Sequence, residues 1–338
     1  MKSGLAVRKS IVSPLLVGAG LLLSLGLIFG LSLSLGSVHL SGHAFVQALL
    51  RQGDPRYQVI VWDLRLPRVI AAMVVGSALG LSGALLQGML RNGLASPFLL
   101  GISAGSGLAA VVILGLGVWQ IWLPLGAWLG GVFTILLVFV LARTGTGISV
   151  ERLILGGVAI SSLFGAIQSM LLLISPEGQL QAALNWLIGS LNGRSWQEIS
   201  VVGPSIGLAL LLGCLLARPL NVLSLGDDLA VGLGTSLVRS RCLIGAVATL
   251  LTAGAVSIAG LVGFVGLIVP HGVRRLVGTD YRLVLPFSAF GGALVLSTAD
   301  LLSRLGPTEL PVGIVTAMMG APVFLWLLYR RRSLAGGL

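Results

Sequence analysis

Arg65 and Arg68 stand three residues apart in "WDLRLPRVIAAMVVG" (62–76), about one helical turn, at the mouth of a long apolar run. Two guanidinium groups at that spacing present planar donor forks that match carboxylates or phosphates. Arg304 follows Asp300 by four residues, the spacing of an ion pair along one helix face. His39 and His43 share the same spacing, as a helical metal pair would need. A zinc site takes three or four ligands and no third is near in sequence, so both are read as loop residues. Cys214 and Cys242 lie in or beside apolar runs and read as small buried hydrophobes. His271 follows Pro270 with no nucleophile or second base nearby, so nothing resembles a hydrolytic centre. The only lysines are Lys2 and Lys9, which leaves no G-x-x-x-x-G-K-[ST] loop for a nucleotide. Recognition chemistry is present and catalytic chemistry is not. The chain is expected to bind no metal or cofactor directly, and any uphill transport must draw its energy from another polypeptide.

The elements that position these residues belong to a membrane protein. Of 338 residues, 56% are hydrophobic and 9% are charged; mean hydropathy is +1.05. A soluble domain carries roughly a quarter charged residues, so this chain has too few to coat a water-facing surface. The net charge of +11 does not point to nucleic acid, because the basic residues lie in short segments between apolar runs rather than on one soluble face.

Apolar stretches long enough to span lie at about 11–37, 64–90, 97–118, 120–142, 150–174, 199–217, 240–259, 261–277, 282–303 and 309–329. The first is longer than a signal-peptide core of roughly 7–15 residues and lacks a small-residue cleavage site, so it is read as a retained span. The glycine-rich 240–277 region is either two short spans or one bent unit. Ten spans with an internal N-terminus put Lys2, Arg8, Lys9, Arg91, Arg143, Arg152, Arg218, Arg239, Arg241, Arg274, Arg275, Arg282 and Arg330–Arg332 on one side. Arg51, Arg56, Arg65, Arg68, Arg194 and Arg304 fall on the other. The asymmetry makes both termini cytoplasmic. The fold class expected is all-α, polytopic, about ten transmembrane helices in two inverted five-helix halves. "GSALGLSGALLQGMLRNGLASP" is loosely echoed by "AGAVSIAGLVGFVGLIVPHGVRRL", as inverted repeats in transporters would be. Gly76, Gly80 and Gly83, with Ser77, fall near one helix face, either for close packing or as a lining that slides.

The segment 65–107, "RLPRVIAAMVVGSALGLSGALLQGMLRNGLASPFLLGISAGSG", resembles the hallmark of FecCD-type (type II) permeases of ABC importers for iron-siderophores, haem and cobalamin. "LGDDLAVGLG" (225–234), "GFVGLIVPHGVRRLVGTDYRLVLP" (263–286) and "ELPVGIVTAMMGAPVFLWLL" (309–328) agree, in order, over nearly the whole chain. One departure is Gly93, where the family usually carries proline; the turn is expected to survive. The resemblance implies a single permease domain, 1–338. Its partners would be a second permease, identical or paralogous, two cytoplasmic ATPase subunits that carry ATP-Mg, a periplasmic or lipid-anchored substrate-binding protein, and membrane lipid. It implies that Arg65, Arg68 and, in the other half, Arg304 receive acidic residues of the binding protein; snorkelling at lipid headgroups is the alternative. It also implies a coupling segment at 218–237. There Pro219 ends a helix and Gly226 permits a turn. Asp227 and Asp228 suit a new helix N-terminus over Leu229 and Ala230, and Gly232 and Gly234 end it. Apolar Leu225, Leu229, Val231 and Leu233 ask for a partner surface. Arg274, Arg275 and Arg282 form a second basic patch, read as membrane orientation. By resemblance, Gln168, Ser169 and Met170 on the fifth span and Thr316, Met318 and Met319 on the tenth are pathway candidates. Asn185, Trp186 and Trp196 are read as an interfacial belt. The expected function is transport of a metal chelate, a ferric siderophore first, with haem or cobalamin as the alternative. An ion-coupled secondary transporter is the rival from another class.

Overall fold

The computed structural model describes residues 13–36, 38, 40–117, 120–144 and 147–335. Lys2, Arg8, Lys9 and His39, and the side chains of Arg330–Arg332, lie outside the described residues. In chain order the helices are α1 (Pro14–Ser34), α2 (Gly42–Leu49), α3 (Pro55–Val59) and, after a π-helical stretch Ile60–Arg65, α4 (Leu66–Met89). A 3-10 turn (Pro97–Leu100) precedes α5 (Ile102–Gly115); α6 (Leu123–Ala142), α7 (Val150–Ile174), α8 (Glu177–Ile188) and α9 (Trp196–Leu215) follow. The chain continues through α10 (Ala217–Leu223), α11 (Asp227–Gly232), α12 (Leu237–Ala259), α13 (Val265–Val277), α14 (Tyr281–Ser303) and α15 (Val312–Ala335). Arg143–Thr144 (β1) and Gly147–Ile148 (β2) form a two-residue antiparallel pair.

Among the described residues, seven helical stretches are long and apolar enough to cross a membrane, at 14–34, 55–89, 123–142, 150–174, 196–215, 237–259 and 281–303. Each apolar range expected from the sequence holds a helix. The uncertain 240–277 region is neither two equal spans nor a smooth bend. It is the long α12, a break at 260–264 and the 13-residue α13. At about 1.5 Å per residue α13 is roughly 20 Å long, short of a hydrocarbon core of about 30 Å.

Capping side chains set several of these boundaries. Ser13, Ser149, Ser236 and Asp280 accept backbone N–H groups at the starts of α1, α7, α12 and α14. Ser195 and Glu198 form a capping box at α9. Gly93 replaces no essential proline: the turn after α4 is held by Asn92, whose Oδ1 accepts from Leu94 N at 2.9 Å.

α4 and α12 are the most enclosed of the long helices. They meet at Ser82, whose hydroxyl lies 2.6 Å from Thr252 Oγ1 and 2.9 Å from the Ala248 carbonyl. α4 meets α14 with almost no side chain between them. A Cβ built at Gly76 would lie 2.3 Å from the Gly292 carbonyl oxygen, and one at Gly80 would lie 2.1 Å from that of Ser288. Gly83 is as close to Gly266 at the start of α13. Lipid gives no hydrophobic drive for helices to associate, so close backbone approach supplies the dispersion contact instead. Close packing is therefore what this glycine face does.

The breaks satisfy one another. Ser190 N donates to the Ala259 carbonyl at 2.8 Å, and Gly313 N donates to that of Gly189 at 3.0 Å. This ties the end of α8, the end of α12 and the start of α15 together. Non-helical backbone inside a membrane protein needs such internal partners.

These contacts separate two kinds of glycine. Gly80→Val should lower the thermal unfolding midpoint of detergent-solubilised protein, with an overpacking cost of about 1–3 kcal/mol or more. Gly20→Ala on α1, where nothing lies within 4 Å, should leave the midpoint unchanged or raise it, since alanine favours helix by up to ~1 kcal/mol. Equal midpoints for the two variants would refute the packing account.

Candidate functional site

Two clusters of polar residues lie at opposite ends of the bundle, here called the Arg68 end and the Asp227 end. At the Arg68 end, the last turn of α1, the first turn of α4, the end of α14 and the loop before α15 converge. Arg68 Nε donates to Asp300 Oδ1 at 3.0 Å, and its Nη1 donates to Glu309 Oε2 at 3.0 Å. Arg304 Nη2 pairs with the other Asp300 oxygen at 3.2 Å, the i,i+4 pair expected from spacing. Asp300 is 1% exposed, Arg68 8% and Arg304 6%, so one buried carboxylate serves two guanidinium groups.

Arg65 is also buried, and among the described residues its partners are carbonyls rather than carboxylates. Its Nη1 donates to the carbonyls of Leu33 and Ser34, both at 2.8 Å, and its Nη2 donates to that of Val38. Arg304 Nη1 reaches the Ser32 carbonyl at 3.3 Å. The last carbonyls of a helix lack intrahelical partners and carry partial negative charge, so two arginines terminate α1. Gly36 makes room, since a Cβ there would stand 3.0 Å from Arg65 Nη2.

Arg65, Arg68 and Arg304 thus gather at one end, each bound to partners within the same chain. Sequence spacing revealed Asp300; Glu309 was missed, because 241 residues separate it from Arg68 and no local pattern links them.

At the Asp227 end the expected coupling segment forms a short helix between two glycine joints. Gly226 has φ 114° and Gly234 φ 78°, with α11 between them. Leu225, Leu229, Val231 and Leu233 are 56%, 60%, 58% and 63% exposed, whereas Ala230 is buried. Asp228 is exposed and Asp227 is drawn into ion pairs with Arg91 and Arg241. Pro219 does not end a helix: it lies in the first turn of α10, where its missing N–H costs nothing. Beside this segment, the Arg282 N–H and the Asn221 amide hold the Asp280 carboxyl below its ordinary range. The second basic patch is divided: Arg274 donates to Gln87 of α4, and Arg275 lies 5.8 Å over the Trp326 ring.

The pathway candidates separate by exposure. Met170, Met318 and Met319 are exposed, as is Ser169, and Gln168 is half-buried beside Gly107. Thr316 is the exception: it is buried, and its hydroxyl donates to the Gly313 carbonyl at 3.0 Å. Trp186 is likewise no belt residue, being buried among Ala110, Val111 and Val256. Trp196 is exposed, with its indole N–H on the Trp62 carbonyl. An open cavity of about 490 Å³ lies between α5, α8 and the loops around 190 and 310, lined by Asn185, Trp186, Asn192, Arg194 and Glu309 among others. Burial pulls the Arg194 guanidinium below its ordinary range, and Glu198 opposes that shift. Among the described residues no group of three His, Cys, Asp or Glu is placed to hold a metal.

The model of the FecCD transport family matches residues 21–330. The hemin transport system permease protein of Yersinia pestis is 40% identical over 289 residues, 82% of this chain and 85% of its own. The Fe(3+)-citrate import system permease protein YfmE of Bacillus subtilis is 39% identical over 332 residues, 97% of this chain and 98% of its own. The cobalamin import system permease protein of Halobacterium salinarum is 42% identical over 277 residues, 81% of this chain and 74% of its own. A solved structure described as an inward-facing metal-chelate type ABC transporter superposes with a TM-score of 0.85 at 34% identity, covering 94% of this chain and all of that one.

Removing a buried carboxylate shared by two arginines leaves uncompensated charge. Asp300→Ala should therefore cost roughly 3–5 kcal/mol, read as a large drop in unfolding midpoint in detergent. The paired change Asp300→Leu with Arg304→Met, which removes charge from both sides and leaves Arg68 on Glu309, should cost less. A single variant as stable as the parent would show that the cluster is not what holds α14 against α4.

Proposed function

The chain belongs to the FecCD transport family, and on that premise we propose that it is the membrane-embedded permease through which a metal chelate, a ferric siderophore first among them, enters a bacterial cell. The observation that carries this reading is a match to import permeases running almost from end to end of the chain. The haem and cobalamin readings are supported equally by relatives named for those cargoes.

In this reading the protein is one domain of ten spans in two inverted halves, with both termini cytoplasmic. The central pairing of α4 with α12 supports the inversion. Each long buried helix is followed by a break and a short helix, α5 in one half and α13 in the other. The described arginines support the orientation. Nine lie at the Asp227 end (Arg91, Arg143, Arg152, Arg218, Arg239, Arg241, Arg274, Arg275, Arg282) and six at the Arg68 end (Arg51, Arg56, Arg65, Arg68, Arg194, Arg304). The more basic end faces the cytoplasm.

Work is divided among partners. ATP hydrolysis belongs to two separate cytoplasmic subunits, because the only lysines, Lys2 and Lys9, stand in no nucleotide-binding loop; α11 and its flanks offer the exposed Leu225, Leu229 and Leu233. A second permease covers the exposed faces of α7 and α15, where Ser169, Met170, Met318 and Met319 line the passage with Gln168 behind them. At the outer Arg68 end an acidic substrate-binding protein docks. With Arg65, Arg68 and Arg304 held inside the chain, their local field does the attracting: within this cluster three positive charges against Asp300 and Glu309 leave a net +1, while Asp54, Asp63, Glu177 and Glu198 balance the rest of that end. Such a field steers a partner and orients it without free guanidinium contacts.

Proteoliposomes carrying the permease with its ATPase facing the lumen and binding protein outside should take up chelate only when ATP is inside, and a panel of ferric siderophore, haem and cobalamin should identify the cargo. Uptake by the permease alone on a proton or sodium gradient would reject the proposal in favour of a secondary transporter. Docking has its own check. Glu309→Gln removes the half-exposed carboxylate from the cluster and should tighten binding-protein association about two- to fivefold at low salt, with the gain lost at high salt. No change, or weaker association, would count against docking through this field.

A further inference from the structure

α11 is six residues long between two glycines at positive φ. A helix of that length is not stable by itself, and glycine joints on both sides would let it swing freely. Pushed by a partner, it would absorb the displacement at Gly226 and Gly234 and pass nothing on. Something must clamp it if it is to transmit force.

The clamp is at its first residue. Arg241, in the opening turns of α12, donates Nη2 to both carboxylate oxygens of Asp227, at 2.9 and 2.8 Å. Its Nη1 donates to the Ile148 carbonyl of β2 at 2.9 Å. Arg241 is a buried residue, which a solvated surface loop would not require. From the other side Arg91, two residues past the end of α4, pairs with Asp227 Oδ1 at 3.2 Å. Arg91 has φ 49°, a left-handed conformation that L-residues rarely adopt. Its guanidinium also lies 3.5 Å from where a Cβ on Gly226 would be. Six residues before Asp227, Asn221 of α10 donates to Asp280 at 2.7 Å and accepts from Tyr281 N at 3.0 Å, at the start of α14. The segment is thus fixed to the ends of α4, α12 and α14, the helices whose backbones and hydroxyls interlock in the core.

We propose that Asp227 is the positioning residue of the coupling segment, and that its clamp on Arg241 and Arg91 converts movement of α11 into movement of α12 and α4. This rests on the reading that α11 meets the ATPase. The two arms differ in weight. The Arg241 arm is two-pronged and shielded; in the Arg91 arm the side chains are 43% and 35% exposed and solvent screens the pair.

The measurement is the number of chelates imported per ATP hydrolysed by the full complex in proteoliposomes. Arg241→Gln should lower that ratio about five- to tenfold, the lower range of a coupling free energy between sites. Arg91→Gln should lower it about twofold, as a screened pair would. Arg241→Gln combined with Asp227→Asn should fall below Arg241→Gln alone by no more than the twofold of the Arg91 arm, because Asp227 is the shared partner of both arms; a general structural defect would instead accumulate. An unchanged ratio in Arg91→Gln and Arg241→Gln, or additive losses in the double variant, overturns the proposal. If Arg241→Gln does not assemble, an unchanged ratio in Arg91→Gln, on the solvent side, still overturns it. A separate arm tests the premise. Leu229→Asp should reduce co-purification of the ATPase; if co-purification is unaffected, α11 is not the contact and the premise itself falls, whatever the ratio does.

Discussion

A guanidinium group taken out of water must find its counter-charge within the protein, and that requirement organises both ends of this molecule. Leaving such a group unpaired costs several kcal/mol. The buried Arg68, Arg304 and Arg241 each answer it with a carboxylate from within the chain. Asp300 of α14 serves Arg68 of α4, and Asp227 of α11 serves Arg241 of α12 and Arg91 beyond α4. Arg65 finds the unpaired carbonyls of α1 instead. Because ion pairs with these geometries close only when the right helix ends meet, they fix which helices are neighbours. They contribute less as a source of net stability than as a register for the assembly.

Between the two ends the problem is reversed, since there is almost no charge to pair. Helices in lipid gain little from burying leucine against leucine, and the central contacts are made by what is absent. Gly76, Gly80 and Gly292 bring the backbones of α4 and α14 together, and Gly83 does so for α4 and α13. Such contacts have no slack, because a side chain cannot rotate away where none exists. α4, α12, α13 and α14 therefore behave as one stiff unit, anchored at both ends by charge. Around it α7 and much of α1 are exposed, as helices are that meet lipid or a partner rather than their own chain.

The sequence made the helical elements legible because their signal is composition over a long window. It also revealed the Asp300–Arg304 pair and the α11 knob, which are local: four residues in one case, two glycines and two acids in the other. What it did not reveal is long-range. Nothing near Arg68 announces Glu309, and nothing near Asp227 announces Arg91, so arginines that looked free at a helix mouth turned out to be partnered. Thr316 and Trp186 failed for a related reason. Each lies in an apolar helix with no strong polar side to it, and only the packing decides which face turns inward. The division of 240–277 near residue 260 was legible in its glycines, but the bonds beside it were not: Ser190 N on the Ala259 carbonyl and Gly313 N on that of Gly189 have no side-chain signature at all.

A transporter without chemistry of its own has to be stiff where force passes and open where cargo passes. The distribution of contacts follows that division. Force would enter at α11, which is clamped to the ends of the interlocked helices, so displacement there cannot be dissipated in a loop. Cargo would pass along α7 and α15, whose methionines and few hydroxyls form a sparse, adaptable surface; thioether side chains follow irregular shapes without gripping them. The start of α15 is bonded through Gly313 to Gly189 after α8, and the neighbouring Ser190 is bonded to Ala259 at the end of α12. A shift of α12 would thereby be carried to the helix proposed to border the passage. The same polar economy would give the proposed passage a surface over which a bulky chelate moves without being held.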